Sequence, residues 1–204
     1  MSHNINKILY INLDKRSDRK SEIETELLNY DLLENSERIS AICTEGQGIL
    51  GCTMSHLKAI QFAKERNYEN VLILEDDFKF IISKSDFENL LADFFNNRIP
   101  YDICMISYNI QTCETTSYSF LYKILEAQTA SGYMIHSQFY DKMIELYEWA
   151  IPLLQNTREH WNYANDQCWK RLQPISNWYC FSPRCGIQRP SYSDNTERFE
   201  NLLC

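Results

Sequence analysis

The sequence predicts an α/β protein: one domain with a mainly parallel central sheet flanked by helices. Three observations predict it. Apolar runs of strand length recur along the chain, they alternate with stretches of helical periodicity, and 204 residues suit one sizeable core. Hydrophobic residues at 44% and charged residues at 24% place the chain among ordinary globular proteins.

The elements follow in order. Lys7 to Leu13 (KILYINL) is a short apolar run suited to a buried strand. Ser17 is a candidate N-cap, and Ser17 to Tyr30 reads as a helix with Ile23, Leu27 and Tyr30 on one face. Arg38 to Cys43 reads as a second strand, and Gly46 to Gly51 as a glycine-bearing loop. A helix then starts at Cys52 or Thr53 and turns Leu57, Ile60 and Ala63 inward. Asn70 to Leu74 (NVLIL) is continuously apolar, as expected of a strand buried on both faces, and it runs into Glu75-Asp76-Asp77. Ser85 caps a helix to about Asn96, and Tyr101 to Ser107, Ser119 to Ile124 and Gly132 to Ile135 read as strands. Phe139, Met143, Leu146 and Ala150 form a helical stripe. The segment from Ile175 onward, rich in Pro, Ser and aromatics, reads as irregular.

Bulk charge excludes some functions. A net charge of −8 disfavours a broad nucleic-acid surface, which needs clustered Lys and Arg. There is no run of about 18 apolar residues to span a membrane. Met1 to Lys7 is polar and carries no apolar signal core, so a soluble, cytoplasmic protein is expected. The eight cysteines form no Cys-x-x-Cys pair and accompany no paired-His motif, so they read as reduced, mostly buried thiols, and zinc is not expected.

Four groups of residues could carry chemistry. Glu75-Asp76-Asp77 crowds three carboxylates at the end of an apolar strand, where open α/β sheets bind ligands. A divalent Mg²⁺ or Mn²⁺ would offset that charge; a solvated acidic turn is the other reading. Asn12 to Arg19 puts Arg16 and Arg19 at a helix start, a place that can hold phosphate or can simply be a charged surface. Gly48 to His56 has glycines that would let backbone approach a ligand, followed by Ser55 and His56 in a first helical turn. Asp166 opens a helix and by position is a cap.

Their order along the chain is more informative than any one of them. Tyr10 to Arg19 (YINLDKRSDR), Gly51 to His56 (GCTMSH) and Leu72 to Asp77 (LILEDD) together resemble glycosyltransferase family 25, which includes lipooligosaccharide and procollagen galactosyltransferases. Thr129 to Tyr133 (TASGY), Asp166 and Pro190 to Asp194 (PSYSD) are similar to its later motifs, so the resemblance runs from about residue 7 to 195. It implies a GT-A-like domain with a nucleotide-sugar half over about residues 1–110 and an acceptor half over about 111–204. It also implies a hexose, galactose or glucose, moved from a UDP-sugar to a hydroxyl of a glycan or protein acceptor, with inversion and with Mn²⁺ or Mg²⁺. The implied metal residues are Asp77, Glu75 and Asp194, with Glu75 standing where the family's DxD-type motif has its first Asp. The implied donor-site residues are Asn12, Arg16, Arg19, Ser55, His56, Glu75 and Asp76, and the implied base is Asp166. An inactive sugar- or protein-binding relative and a nucleotidyltransferase are the alternatives.

Overall fold

The computed structural model describes residues 5–193 and 198–200. Its frame is an eight-stranded sheet. The two strands that open the chain's α/β alternation are β1 (Lys7–Asn12) and β2 (Ser36–Ser40), separated by α1 (Ser17–Asn29). Helix α2 (Gly48–Glu65) leads to β3 (Asn70–Glu75), and a short β4 (Phe78–Phe80) leads to α3 (Lys84–Asn96). There follow β5 (Ile103–Met105), β6 (Asn109–Thr115), β7 (Leu121–Gln128) and β8 (Gly132–His136). Helix α4 (Tyr140–Thr157) and the short α5 (His160–Tyr163) and α6 (Asn165–Cys168) come next. The described chain closes with β9 (Trp178–Phe181), β10 (Gly186–Gln188), β11 (Ser191–Ser193) and β12 (Arg198–Glu200).

The strand order is β2-β1-β3-β8-β5-β9-β7-β6. Following the ladders across the sheet, β2, β1, β3, β5, β9 and β6 run in one direction, and β8 and β7 oppose them. The expected mainly parallel sheet is therefore present in strand direction, with β8 inserted antiparallel between β3 and β5.

Side-chain alternation along β1 and β3 builds two cores. Leu9, Ile11, Val71 and Ile73 join one cluster with Ala59, Ile60 and Ala63 of α2 and Met143, Leu146 and Ala150 of α4. Ile8, Tyr10, Leu72 and Leu74 join the other with Ile23 and Leu27 of α1 and Phe87, Leu91 and Phe94 of α3. The continuous apolar run of β3 is thus explained by helices on both faces. Ile73 is fully buried, and truncating it to Ala should cost about 2–5 kcal/mol.

Several boundaries differ from expectation for local reasons. Arg16, not Ser17, is the N-cap of α1, and no side chain caps that end. Ser83, not Ser85, caps α3, its Oγ accepting from the Asp86 N–H at 3.1 Å. The second strand is Ser36–Ser40 and stops short of Cys43. The expected glycine loop is largely the first turn of α2. Gly51 is needed there for packing, since a Cβ would stand 2.4 Å from the Ile42 carbonyl oxygen. The segment after Ile175 is not wholly irregular: Trp178 and Phe181 are fully buried in β9, which lies between β5 and β7. Among the described residues, no helix is long and apolar enough to cross a membrane.

Candidate functional site

A cleft of about 680 Å³ opens at the carboxyl ends of β1 and β3. These parallel neighbours pair Ile11 with Glu75, so the residues that follow each strand emerge side by side. The floor is Glu75, Asp76 and Asp77. Asn12, Lys15 and Arg19 come from the β1–α1 side, Thr44 from the approach to α2, and Gly48, Cys52, Ser55 and His56 from α2 itself.

The three floor carboxylates are held in three different ways. Asp76 is fully engaged: Asn12 Nδ2 donates to Oδ2 at 2.8 Å and Arg19 Nη1 donates to Oδ1 at 2.9 Å. Arg38 Nη1 donates to Asn12 Oδ1 at 3.2 Å, which orients the Asn12 amide. Burial still pushes the Asp76 carboxyl up from its ordinary pKa, against the pull of Arg19 and Asn12. Asp77 is half engaged. Its Oδ2 accepts from Gln188 Nε2 at 3.0 Å and from Arg19 Nη1 at 3.4 Å, while its buried Oδ1 has no hydrogen-bond partner among the described residues. Burial, and then the charges of Glu75 and Asp76, push Asp77 up to about 7.

Glu75 turns the other way, toward α2. His56 Nε2 donates to its Oε1 at 2.9 Å, and the Cys52 thiol donates to the same oxygen at 3.7 Å. His56 Nδ1 lies 3.0 Å from the Tyr133 hydroxyl. Burial disfavours the Glu75 charge, but the His56 hydrogen bond and charge, with Arg19, bring its pKa below the ordinary value. The Glu75 backbone N–H donates to the Ser131 carbonyl oxygen at 2.9 Å, which fixes the strand end.

Several expected site residues prove to be braces. Ser55 is fully buried; its Oγ donates to the Gly51 carbonyl at 2.6 Å and accepts from the Ile42 N–H at 2.8 Å. It ties α2 to the loop on the cleft wall. Arg19 is buried and serves Asp76 and Asp77 directly. Arg16 is paired with Asp18, its Nη2 2.8 Å from Asp18 Oδ2, and its side chain is 16% exposed. Among the described residues the cleft wall includes Lys15 and Arg19 but not Arg16. Asp194 lies outside the described residues.

Asp166 does not cap its own helix. The N-cap of α6 is Ala164, and Asp166 Oδ2 accepts the Thr129 N–H at 3.0 Å. Thr129 stands at φ 81°, a left-handed backbone that a β-branched residue rarely adopts, so the carboxylate secures a strained corner. Gln167 Nε2 donates to Oδ1 at 3.2 Å. Burial raises the Asp166 pKa; the Thr129 N–H opposes this, and the charge of Glu75 adds to it. Asp166 and Glu75 are thus within electrostatic reach of each other although they lie in different halves of the chain.

Sequence reading missed one group. Cys52, His56 and Glu75 bring their ligand atoms within 4.8 Å of one another. The signal was present as Cys-x-x-x-His, a spacing that puts both side chains on one face of a helix.

The comparisons with known proteins accord with this geometry. The model of glycosyltransferase family 25, described as an LPS biosynthesis protein family, matches residues 29–167. No curated protein matches the chain. Among solved structures, UDP-glucose pyrophosphorylase complexed with UDP-glucose superposes with a TM-score of 0.53 at 6% identity, covering 87% of this chain and 90% of that one. A glycosyltransferase involved in glycosylation of the major capsid of PBCV-1 gives 0.48 at 14% identity, covering 91% and 81%. The glycosyltransferase GlyE of Streptococcus pneumoniae TIGR4 gives 0.48 at 10% identity, covering 88% and 46%. The first of these shows the fold: α/β, GT-A-like, with helices on both faces of a sheet. Because the family model spans more than half of the 204 residues, the chain belongs to glycosyltransferase family 25.

Proposed function

We propose that this protein transfers a hexose, galactose or glucose, from a UDP-sugar to a hydroxyl of a glycan or protein acceptor, with inversion at the anomeric carbon. The observation that carries the reading is the cleft floor. Three carboxylates meet at the end of β3, and one buried oxygen, Asp77 Oδ1, has no hydrogen-bond partner among the described residues. That donor set fits a hard divalent cation, Mn²⁺ or Mg²⁺, which prefers carboxylate oxygens. Asp77 would hold it, with Glu75 beside it. Bound there, the cation would stabilise the charge developing on the departing diphosphate.

The chain's own residues do the rest. Asn12 and Arg19 fix Asp76 and hold the floor rigid, so Asp77 is presented without rearrangement. Lys15, on the cleft wall, supplies positive charge toward the diphosphate. Asp166 is the base: it takes the proton of the acceptor hydroxyl as that oxygen attacks the anomeric carbon and the bond to UDP breaks. Burial raises its basicity, which suits that task.

A panel of UDP-sugars, titrated by calorimetry with and without Mn²⁺ and followed by a hydrolysis and transfer assay, tests the reading. Metal-dependent binding with turnover is the expected result. Binding without turnover would identify an inactive sugar-binding relative. Turnover of a sugar phosphate with a nucleoside triphosphate would identify a nucleotidyltransferase.

A further inference from the structure

We propose that Cys52, His56 and Glu75 form a second cation site, selective for a thiophilic divalent ion such as Zn²⁺ and distinct from the hard-cation position at Asp77. Cys52 and His56 lie four apart on α2, so both point to the same side. Glu75, the last residue of β3, meets them there.

The distances suit a small tetrahedral ion. Zinc bonds of about 2.3 Å to sulfur and about 2.0–2.2 Å to nitrogen or oxygen separate the ligand atoms by roughly 3.3–3.5 Å. His56 Nε2 and Cys52 Sγ stand 2.9 and 3.7 Å from Glu75 Oε1, and all three ligand atoms lie within 4.8 Å. The 4.8 Å limit exceeds the tetrahedral separation by about 1.3–1.5 Å at most, a closure that side-chain rotation of Cys52 and His56 can share. The donors are one thiolate, one imidazole and one carboxylate, a mixed set that favours Zn²⁺ or Co²⁺ over Mg²⁺.

The surroundings supply what such a site needs. The Tyr133 hydroxyl, 3.0 Å from His56 Nδ1, can either donate or accept. When Nε2 gives its lone pair to a metal, Nδ1 carries the hydrogen and donates it to Tyr133, which orients the ring. The Cys52 thiol proton leaves to solvent through the cleft. All three residues line that cleft, so the fourth position is open to water.

Filling the site ties up the Glu75 oxygen. On the reading of the cleft given above, a thiophilic ion would therefore weaken the cation position at Asp77. The site itself stands on geometry alone and does not depend on that reading.

The experiment is a Co²⁺ titration of the full chain, kept reduced with a thiol-free phosphine and without nucleotide, followed by absorbance. A thiolate-to-cobalt charge-transfer band saturating at one ion per chain, and displaced by Zn²⁺, is expected. Cys52→Ser should abolish the band. Tyr133→Phe should weaken binding about 10–100-fold, as loss of an outer-shell partner does. Cys43→Ser, Cys113→Ser and Asp77→Asn should each keep the band, which separates this site from the two exposed thiols and from the proposed donor cation. Circular dichroism confirms that each variant is folded. No band in the folded parent, or a band that survives Cys52→Ser, overturns the proposal and leaves the three side chains as a hydrogen-bonded support for Glu75.

Discussion

The cleft floor and the Asp166 corner hold carboxylates in opposite ways. On the floor, Arg19 touches both Asp76 and Asp77, and Asn12 completes Asp76. At the corner, Asp166 accepts from one backbone N–H, that of Thr129, and one neutral amide, that of Gln167. The floor therefore concentrates three carboxylates around one guanidinium, whereas the corner holds a single carboxylate on neutral donors. An acidic triplet and a lone carboxylate that reads as a helix cap thus sit in different electrostatic surroundings.

The largest effect that would break this comparison is expected at Arg19. Its side chain is 11% exposed and its partners Asp76 and Asp77 are 10% and 7% exposed. Arg19→Ala leaves buried carboxylates uncompensated and should cost about 3–5 kcal/mol of stability. Urea unfolding measures this. A loss under about 1 kcal/mol would make the floor an ordinary solvated turn.

At the corner, Asp166→Asn keeps hydrogen-bonding capacity but cannot take a proton. Transfer should fall roughly 10²-fold or more while UDP affinity is unchanged. Near-parental turnover would move the base elsewhere. Loss of UDP affinity instead would merge the two regions into one donor site.

A pH profile sharpens the contrast. Asp77 titrates at about 7 in the fold against an ordinary 3.8. The folded state thus binds that proton more tightly than the unfolded chain. In metal-free protein its contribution is fully present below about pH 4 and is lost as pH rises toward about 7. Comparing melting temperatures of parent and Asp77→Asn across that window should show the parent declining relative to the variant. Parallel curves would remove the special status of Asp77.

The smallest effect is expected at Arg16, whose guanidinium is already taken up by the exposed Asp18. Arg16→Ala should change UDP affinity by about 0–1 kcal/mol. A tenfold or greater loss of UDP affinity would show that Arg16 swings into the cleft.

Much of this was legible in the sequence where one element carries the whole signal. The run Asn70 to Leu74 declares a strand buried on both faces, and the acidic triplet at its end marks the cleft floor. The stripe of Met143, Leu146 and Ala150 declares α4. What stayed hidden depends on contacts between elements. Asp166 looks like a helix cap until Thr129 is seen to need its carboxylate. Gly51 looks like ligand-binding backbone until Ile42 is seen pressed against it. Arg19 looks like a surface charge until β3 brings Asp76 beneath it. Trp178 to Phe181 is too short a run to announce a strand, and tertiary packing between β5 and β7 makes it one.

The central claim is that the floor presents Asp77 to a cation that in turn holds the donor diphosphate. Calorimetric titration of UDP into parent and Asp77→Asn protein, each with and without Mn²⁺, tests it most directly. The parent should bind UDP tightly only with Mn²⁺, and the variant should bind weakly and equally in both conditions with its fold intact. A folded variant that keeps the parent's full Mn²⁺ dependence would contradict the account.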